Sequence, residues 1–414
     1  MSETLDGEAP PAPGPSWDRD LPRALAPPLQ PGDPAPYFIA RASNNPRFNF
    51  SSAGGRYLVL CFHGSLAVER SRRIVDLIVS RHRAQFDDYF AAFFGVSVDP
   101  ADESQGRARS SLPGVRYFWD FDRAITRLYA GGEGVADPQQ ASEAGFTLIL
   151  DPFLRVLANI PFTDPEEHLR AFASVMDTLP PPGRHAGVET PAPVLILPRV
   201  FEPEFCRALI DLYEAHGGGD SGFMRQEGDM TVAVLDHSFK RRSDVSMDAG
   251  PEFERYRRAI RMRVTRRILP QIKKAFEYSA TRIERYLVAC YDGETGGFFR
   301  AHRDNTTSGT AHRRFAVTIN LNAEEYEGGD LRFPEFGDRT YRAPTGGAVV
   351  FSCGLLHEAT PVTRGRRYAC LPFLYDEAAA AIRDRNRGMI SEDVVDQNKL
   401  RQREATGVPV AQAP

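Results

Sequence analysis

The sequence predicts a chain of two domains, an α/β sandwich followed by a mainly β barrel-like sandwich with flanking helices. Three observations predict it. At 414 residues the chain is too long for one ordinary core, given about 150 residues per domain. A proline-rich break, "TLPPPGRHAGVETPAP" at 178–193, interrupts otherwise patterned sequence. Before the break, apolar runs alternate with amphipathic ones; after it comes a string of strand-sized units with glycine-rich turns.

The elements follow in sequence order. Residues 1–34, rich in Pro, Ala and Gly, are expected to form a disordered arm. In the first domain, 35–180, "RYLVLCFHG" (56–64) is a buried-strand run and "ERSRRIVDLIVSRHRAQF" (69–86) has helical spacing. "YFAAFFGVSVD" (89–99) is a second strand, and "FDRAITRLYAG" a short helix. "GFTLILDPFLRVLANIP" (145–161) reads as two strands around Asp151-Pro152, closed by the helix "EEHLRAFASVMDTL". A β-α-β unit followed by β-β-α is the pattern of a thioredoxin-type sandwich. Residues 181–192 are the expected linker, semi-rigid because of its prolines. Residues 193–376 open with a strand and the helix of "VLILPRVFEPEFCRALIDLYEAHG", then a long basic helix at 250–278 broken near Pro270. Its arginines read as a solvated face balanced by neighbouring acids. Seven strand-sized units from "RIERYLVACYDG" to "RRYACLPFLYD" then describe a jelly roll. Residues 377–414 are expected to be helical first and disordered afterwards.

Composition excludes several functions. With 42% hydrophobic and 26% charged residues and a net charge of −4, no single-sign field calls for nucleic acid or a membrane. No apolar run approaches the ~20 residues of a membrane span, and no secretory signal is visible. The five cysteines, Cys61, Cys206, Cys290, Cys353 and Cys370, are scattered without a CxxC, which suits a reducing, cytoplasmic setting.

"PGDPAPYF", "YLVLCF", "FWDFDRAITRLYAG" and "FTLILDPFLRVLANI", in that order, resemble a peroxiredoxin of the redoxin group. In that family a peroxidatic cysteine follows the first central strand at a helix start, where a thiol pKa is lowered. Here the stretch is "HGSLAVERSRR", without a cysteine, and Cys61 lies inside the strand as a small buried hydrophobe. The expectation is a redoxin-like domain without peroxidase chemistry. A thiol peroxidase or thiol-disulfide protein relying on Cys61 is the rival, and a non-catalytic binding module a third reading.

The stretch "GGFFRAHRDN" (296–305) poses the functional question. HRD-Asn could be a kinase catalytic loop, but the glycine-rich loop, Val-Ala-x-Lys strand and Asp-Phe-Gly it requires are missing. Read as metal ligands, His302 and Asp304 lie two apart on a strand and share a face, with Arg303 pointing away. His357, after the apolar run "GGAVVFSCGLLH", is the candidate third ligand. Two histidines and one carboxylate form the facial triad of non-haem Fe(II) oxygenases. Arg367, ten residues further on, could hold a carboxylate bidentately. Arg366 is its rival, and neighbours on one strand point to opposite faces, so only one of the two can enter the barrel.

"VACYDGETGGFFRAHRDN", "VTINLN", "YEGGDLRF" and "APTGGAVVFSCGLLHEATPVTRGRRY" resemble the prolyl 4-hydroxylase branch of the 2-oxoglutarate/Fe(II)-dependent dioxygenases. The resemblance implies a double-stranded β-helix, with His302, Asp304 and His357 on iron and Arg367 on the distal carboxylate of 2-oxoglutarate. It places Tyr291 in the co-substrate pocket. Where the family has a second tyrosine contact this sequence has Ile319-Asn320, so Asn320 or Thr318 is expected to replace it. The implied reaction consumes O₂ and 2-oxoglutarate, hydroxylates an unactivated C–H bond of a small molecule, a peptide or a protein, and uses ascorbate as reductant. No catalytic acid or base beyond the metal ligands is required. Arg241, Arg242 and Asp244, in "DHSFKRRSDVSMD", are candidate substrate contacts or an ion-pair network.

Overall fold

In the computed structural model, residues 29–130 and 143–391 are described. The protein divides into two compact units, Met1–Pro182 and Gly183–Pro414. Residues 1–28 of the expected arm and 392–414 of the expected tail lie outside the described residues. The end of the arm departs from expectation. Leu29 is 1% exposed and its carbonyl accepts from Asn159 Nδ2, so the first core begins before residue 35.

The first unit is built on a seven-stranded sheet. Its strands are β1 (Ile39–Ala42), β2 (Asn45–Asn49), β3 (Tyr57–Gly64), β4 (Ala91–Ser97), β5 (Val115–Trp119), β6 (Phe146–Leu150) and β7 (Val156–Pro161), ordered β2-β1-β5-β4-β3-β6-β7. β3, β4 and β5 run parallel, while β6 and β7 are antiparallel. Every residue of β3 is buried, as a central strand covered on both faces requires. Leu58, Leu60 and Phe62 enter one core, and Tyr57, Val59 and Cys61 the other. Helix α1 (Glu69–Arg81) and a later helix, α4 (Pro165–Met176), cover the Cys61 face through Ile74, Ile78, Phe172 and Met176. Between them lie α2 (Pro100–Ser104) and α3 (Ala124–Ala130). Asp164 caps α4 by accepting from the amides of Glu166 and Glu167, with Pro165 at the first helical position.

In the second unit the strand β8 (Leu195–Leu197) is followed by α5 (Pro203–His216), β9 (Ser243–Ser246), α6 (Glu254–Arg267) and α7 (Leu269–Phe276). The barrel strands are β10 (Arg282–Glu284), β11 (Leu287–Asp292), β12 (Phe298–His302), β13 (Phe315–Asn320), β14 (Leu331–Arg332), β15 (Ala348–Ser352), β16 (His357–Ala359), β17 (Arg366–Cys370) and β18 (Phe373–Tyr375). The larger sheet runs β10-β18-β13-β17-β11-β9, with β15 pairing β13 and β8. The smaller contains β12-β16-β14. Outward residues of the larger sheet, among them Val288, Cys290, Val317, Ile319 and Tyr368, pack under α5, α6 and α7. The alternate residues, including Ala289, Tyr291, Ala316, Ala369 and Phe373, face the barrel interior.

Two expected elements are broken. "RIERYLVACYDG" divides at Arg285, whose φ of 69° interrupts the extended backbone between β10 and β11. The basic helix ends at Arg267 and restarts at Leu269, with Pro270 in the new first turn. Glu202 takes Arg263 and Arg267, and Glu254 takes Arg257. After β18, α8 (Glu377–Arg385) is capped by Asp376. Among the described residues no helix is long and apolar enough to cross a membrane.

Candidate metal centre

β12 and β16 pair antiparallel, with His302 directly opposite His357. Opposed residues of such a pair project from the same face. Asp304 reaches them by another route than the expected shared strand face. β12 ends at His302, the backbone turns, and the Asp304 amide donates to the Cys353 carbonyl at 3.0 Å. Asp304 Oδ1 then lies 3.6 Å from His302 Nε2, and Oδ2 lies 3.3 Å from His357 Nε2. One ligand atom from each of the three falls within 4.8 Å of the others, and among the described residues this is the one such group.

The hydrogen bonds set the tautomers. His302 Nδ1 is 2.7 Å from the Arg300 carbonyl and His357 Nδ1 is 3.0 Å from the Leu355 carbonyl. A carbonyl only accepts, so each Nδ1 carries the proton and each Nε2 turns a lone pair toward Asp304. Burial pushes the His357 pKa down to about 4, keeping it neutral. Two imidazoles and a carboxylate are the donor set an Fe(II) facial triad needs. The Phe299 ring stacks on His302 at 3.6 Å, and Phe351 packs edge-on to His357 at 4.6 Å. Phe239 and Phe223 continue that wall outward from Phe299.

Arg303 points away from the ligands, but inward. It pairs with Glu335 at 2.8 Å, both side chains under a tenth exposed, and donates to the Gly354 carbonyl. Glu335 also accepts from the Leu356 amide. The residue between two ligands is thereby tied to the loop that delivers the third.

Arg367 lies on β17 opposite Tyr291 of β11, with its guanidinium 4.9 Å from the Tyr291 ring. It is 2% exposed, and its Nε and Nη1 have no hydrogen-bond partner. Two unpaired donors on a buried cation are costly unless a ligand takes them. Gly328-Gly329, both left-handed, let the backbone press against this side chain: a Cβ on Gly329 would sit 3.2 Å from Arg367 Cδ. Asn320 joins the same interior face through its register with Ala369, and Thr318 lies two residues before it. Asn320 Nδ2 is spent on the Ala343 carbonyl while its Oδ1 is buried without a partner. Arg366 takes the outer face, paired with Asp292 at 3.0 Å and Glu214 at 3.6 Å.

The three candidate substrate contacts separate. Arg241 is exposed and donates to the carbonyls of His237 and Thr295. Arg242 and Asp244 form an ion pair of 2.6 Å, with side chains 3% and 5% exposed, so this pair is neither a surface network nor an open contact. Ser221 donates to Asp244, and Arg242 Nη1 donates to Tyr291 Oη at 3.4 Å. Arg242 therefore reaches the candidate pocket from behind, through Tyr291. Sequence reasoning missed Phe299, Glu335 and this link; of the three, only Phe299 left a signal, the Phe298-Phe299 doublet before His302.

The first unit offers no competing centre at Cys61. That thiol is wholly buried, burial pushes its pKa up to about 12, and its sulfur lies 3.6 Å from Thr147 Oγ1. In the loop where the redoxin resemblance would place a cysteine, Ser65 donates to Asp99 and the Leu66 amide to Asp102. A buried thiol with a raised pKa weighs against the thiol peroxidase reading.

Comparison with known proteins bears on the same segment. The model of the 2OG-Fe(II) oxygenase superfamily matches residues 286–375, which contain His302, Asp304, His357 and Arg367. A PKHD-type hydroxylase of Synechococcus sp. (strain JA-2-3B'a(2-13)) is 32% identical over 98 residues, 22% of this chain and 43% of that protein. One from Cupriavidus metallidurans is 34% identical over 107 residues, 23% of this chain and 47% of that protein. The chain thus spans less than half the length of these curated relatives. A solved prolyl hydroxylase from Trichoplax adhaerens, in complex with a hypoxia inducible factor peptide, is 18% identical with a TM-score of 0.38, covering 46% of this chain and 86% of that one. Residues 286–375 are thus similar to the 2OG-Fe(II) oxygenase superfamily.

Proposed function

We propose that the second unit is an Fe(II)- and 2-oxoglutarate-dependent dioxygenase that hydroxylates an unactivated C–H bond. The observation that carries this is the pairing of a complete His302–Asp304–His357 donor set with a buried Arg367 that keeps two donors, Nε and Nη1, unspent. His302 and His357 would hold the metal through Nε2 and Asp304 through a carboxylate oxygen. Arg367 would take the distal carboxylate of 2-oxoglutarate, with Tyr291, Thr318 and Asn320 beside it. When bound, Fe(II) supplies the activation of O₂. One oxygen atom enters the C–H bond as hydroxyl and the other enters succinate, while 2-oxoglutarate loses CO₂. The protein's share is ligation, orientation and the aromatic wall of Phe299 and Phe351, which keeps water from the ligands. The substrate is a small molecule or an amino-acid residue of a peptide or protein, with ascorbate as reductant. The first unit supports a thioredoxin-type reading through its parallel β3-α1-β4 unit and antiparallel β6-β7 hairpin, and serves docking or stability without thiol chemistry. Five unpaired cysteines suit a cytoplasmic setting.

Succinate release from 2-oxoglutarate, dependent on Fe(II), tests the proposal. His302→Ala and Asp304→Ala should reduce it to background, and normal turnover in either variant would sink the assignment.

A further inference from the structure

Like Arg367, Arg285 carries a guanidinium with no acid of its own, though it is only partly buried. Glu284 on β10 opposes Phe373 on β18, Phe373 opposes Ala316 on β13, and Ala316 opposes Phe351 on β15. Residues opposed in this way share a face, so the row crosses the barrel interior, and Phe351 ends it against the His357 ring. Two guanidiniums stack on Phe373: Arg285 at 4.4 Å and Arg313 at 4.1 Å. Their charges are spent differently. Arg313 is paired with Glu284 at 2.7 Å, and His312 holds the other oxygen of that carboxylate at 2.6 Å. Arg285 forms no ion pair among the described residues; its Nε and Nη2 both donate to one carbonyl, that of Leu371.

Two further observations set Arg285 apart. It occupies a left-handed backbone conformation, φ 69°, which is uncommon for a long side chain and accumulates where function requires it. Burial pushes its pKa down to about 10, Arg242 and Arg313 adding repulsion, with Asp244 and Asp304 too weak to offset them. A half-buried cation without an acid partner gains most from an anion that arrives from outside.

Resting on the dioxygenase reading, we propose that Arg285, on the Phe373 platform, is the subsite for a carboxylate of the substrate itself. The substrate class is then a carboxylic acid, either a free or acylated amino acid or the C-terminus of a peptide. Its carboxylate is anchored at Arg285 while the bond to be hydroxylated faces the metal ligands. Arg367 and Arg285 would divide two carboxylates between them, one from the co-substrate and one from the substrate.

The test uses the full-length protein loaded with Mn(II) and 2-oxoglutarate without O₂. Calorimetric titration with a panel of N-acetyl amino acids, each as free acid and as amide, reads the subsite. At least one acid should bind about tenfold or more tighter than its amide, the scale of one charge-assisted hydrogen bond. The ratio should fall to near one in Arg285→Met and recover in part in Arg285→Lys, with 2-oxoglutarate affinity unchanged in both. If Arg285→Met does not fold, Arg285→Gln carries the comparison. The proposal is overturned if no acid is preferred, including binding of neither form. It is overturned equally if the preference survives the substitution, or if 2-oxoglutarate affinity is lost with Arg285. Failure of the wild type to bind 2-oxoglutarate at all would defeat the dioxygenase reading instead, and an acid preference would still be legible beside it.

Discussion

Each unit buries histidine among polar partners, and the two do so to opposite ends. In the first, His168 uses both ring nitrogens: Nδ1 contacts the Pro161 carbonyl at 3.1 Å and Nε2 contacts Thr147 at 3.0 Å, with Cys61 behind. Burial lowers its pKa, so the ring stays neutral inside a closed circuit. In the second, His302 and His357 each spend Nδ1 on a carbonyl and leave Nε2 facing a carboxylate. Burial and pKa shifts therefore do not by themselves distinguish a site from a core. What distinguishes them is whether donor and acceptor capacity is exhausted within the protein.

The largest expected effect breaks the open circuit. Asp304→Ala should lose measurable Mn(II) affinity and all 2-oxoglutarate turnover, while His168→Gln should leave both intact. Metal titration by calorimetry decides. Next, Arg367→Met should weaken 2-oxoglutarate binding by about a hundredfold, since two charge-assisted bonds disappear. Arg366→Met should not, because that guanidinium serves Asp292 and Glu214 outside the barrel.

A smaller effect tests the tie behind the ligands. Glu335→Gln removes the carboxylate from Arg303, which should lower stability by about 3 kcal/mol and metal affinity roughly tenfold. Denaturant melts with and without Mn(II) separate the two losses. A double-mutant cycle of Arg242→Met and Tyr291→Phe should give sub-additive losses of 2-oxoglutarate affinity if Arg242 acts through the tyrosine hydroxyl. Fully additive losses would show an independent route.

The smallest effect belongs to the first unit. Burial pushes His63 down to about 3, below the ordinary histidine value. Its contribution to stability is therefore complete above about pH 6.5 and lost as pH falls toward 3, at up to about 1.4 kcal/mol per pH unit. Urea melts at pH 7 and 5 should show this slope, and His63→Gln should flatten it. The slope belongs to a core histidine and should be indifferent to metal.

Much of this was legible in the sequence. Strand β3 announced itself as an unbroken apolar run, and "HRD" with a later His and Arg pointed to the candidate site, through residue chemistry and the family resemblance together. What was hidden has physical reasons. Arg285 interrupts a stretch that reads as one strand because a left-handed residue has no side-chain signature outside Gly and Asn. Asp304 seemed to share a strand face with His302, since spacing of two cannot reveal that the strand stops between them. Glu335 stands far from Arg303 in sequence, and an ion pair across that distance leaves no periodic trace.

The opposed placement of His302 and His357 has one more consequence. A side-chain period of two means that sliding β16 past β12 by a single residue would turn one imidazole to the far side of the sheet. An ion held by both strands would thus proofread their alignment during folding, favouring the one registration in which both nitrogens meet it. Metal binding and correct strand assembly would then be a single event, and the cation would report on the barrel as much as the barrel serves the cation.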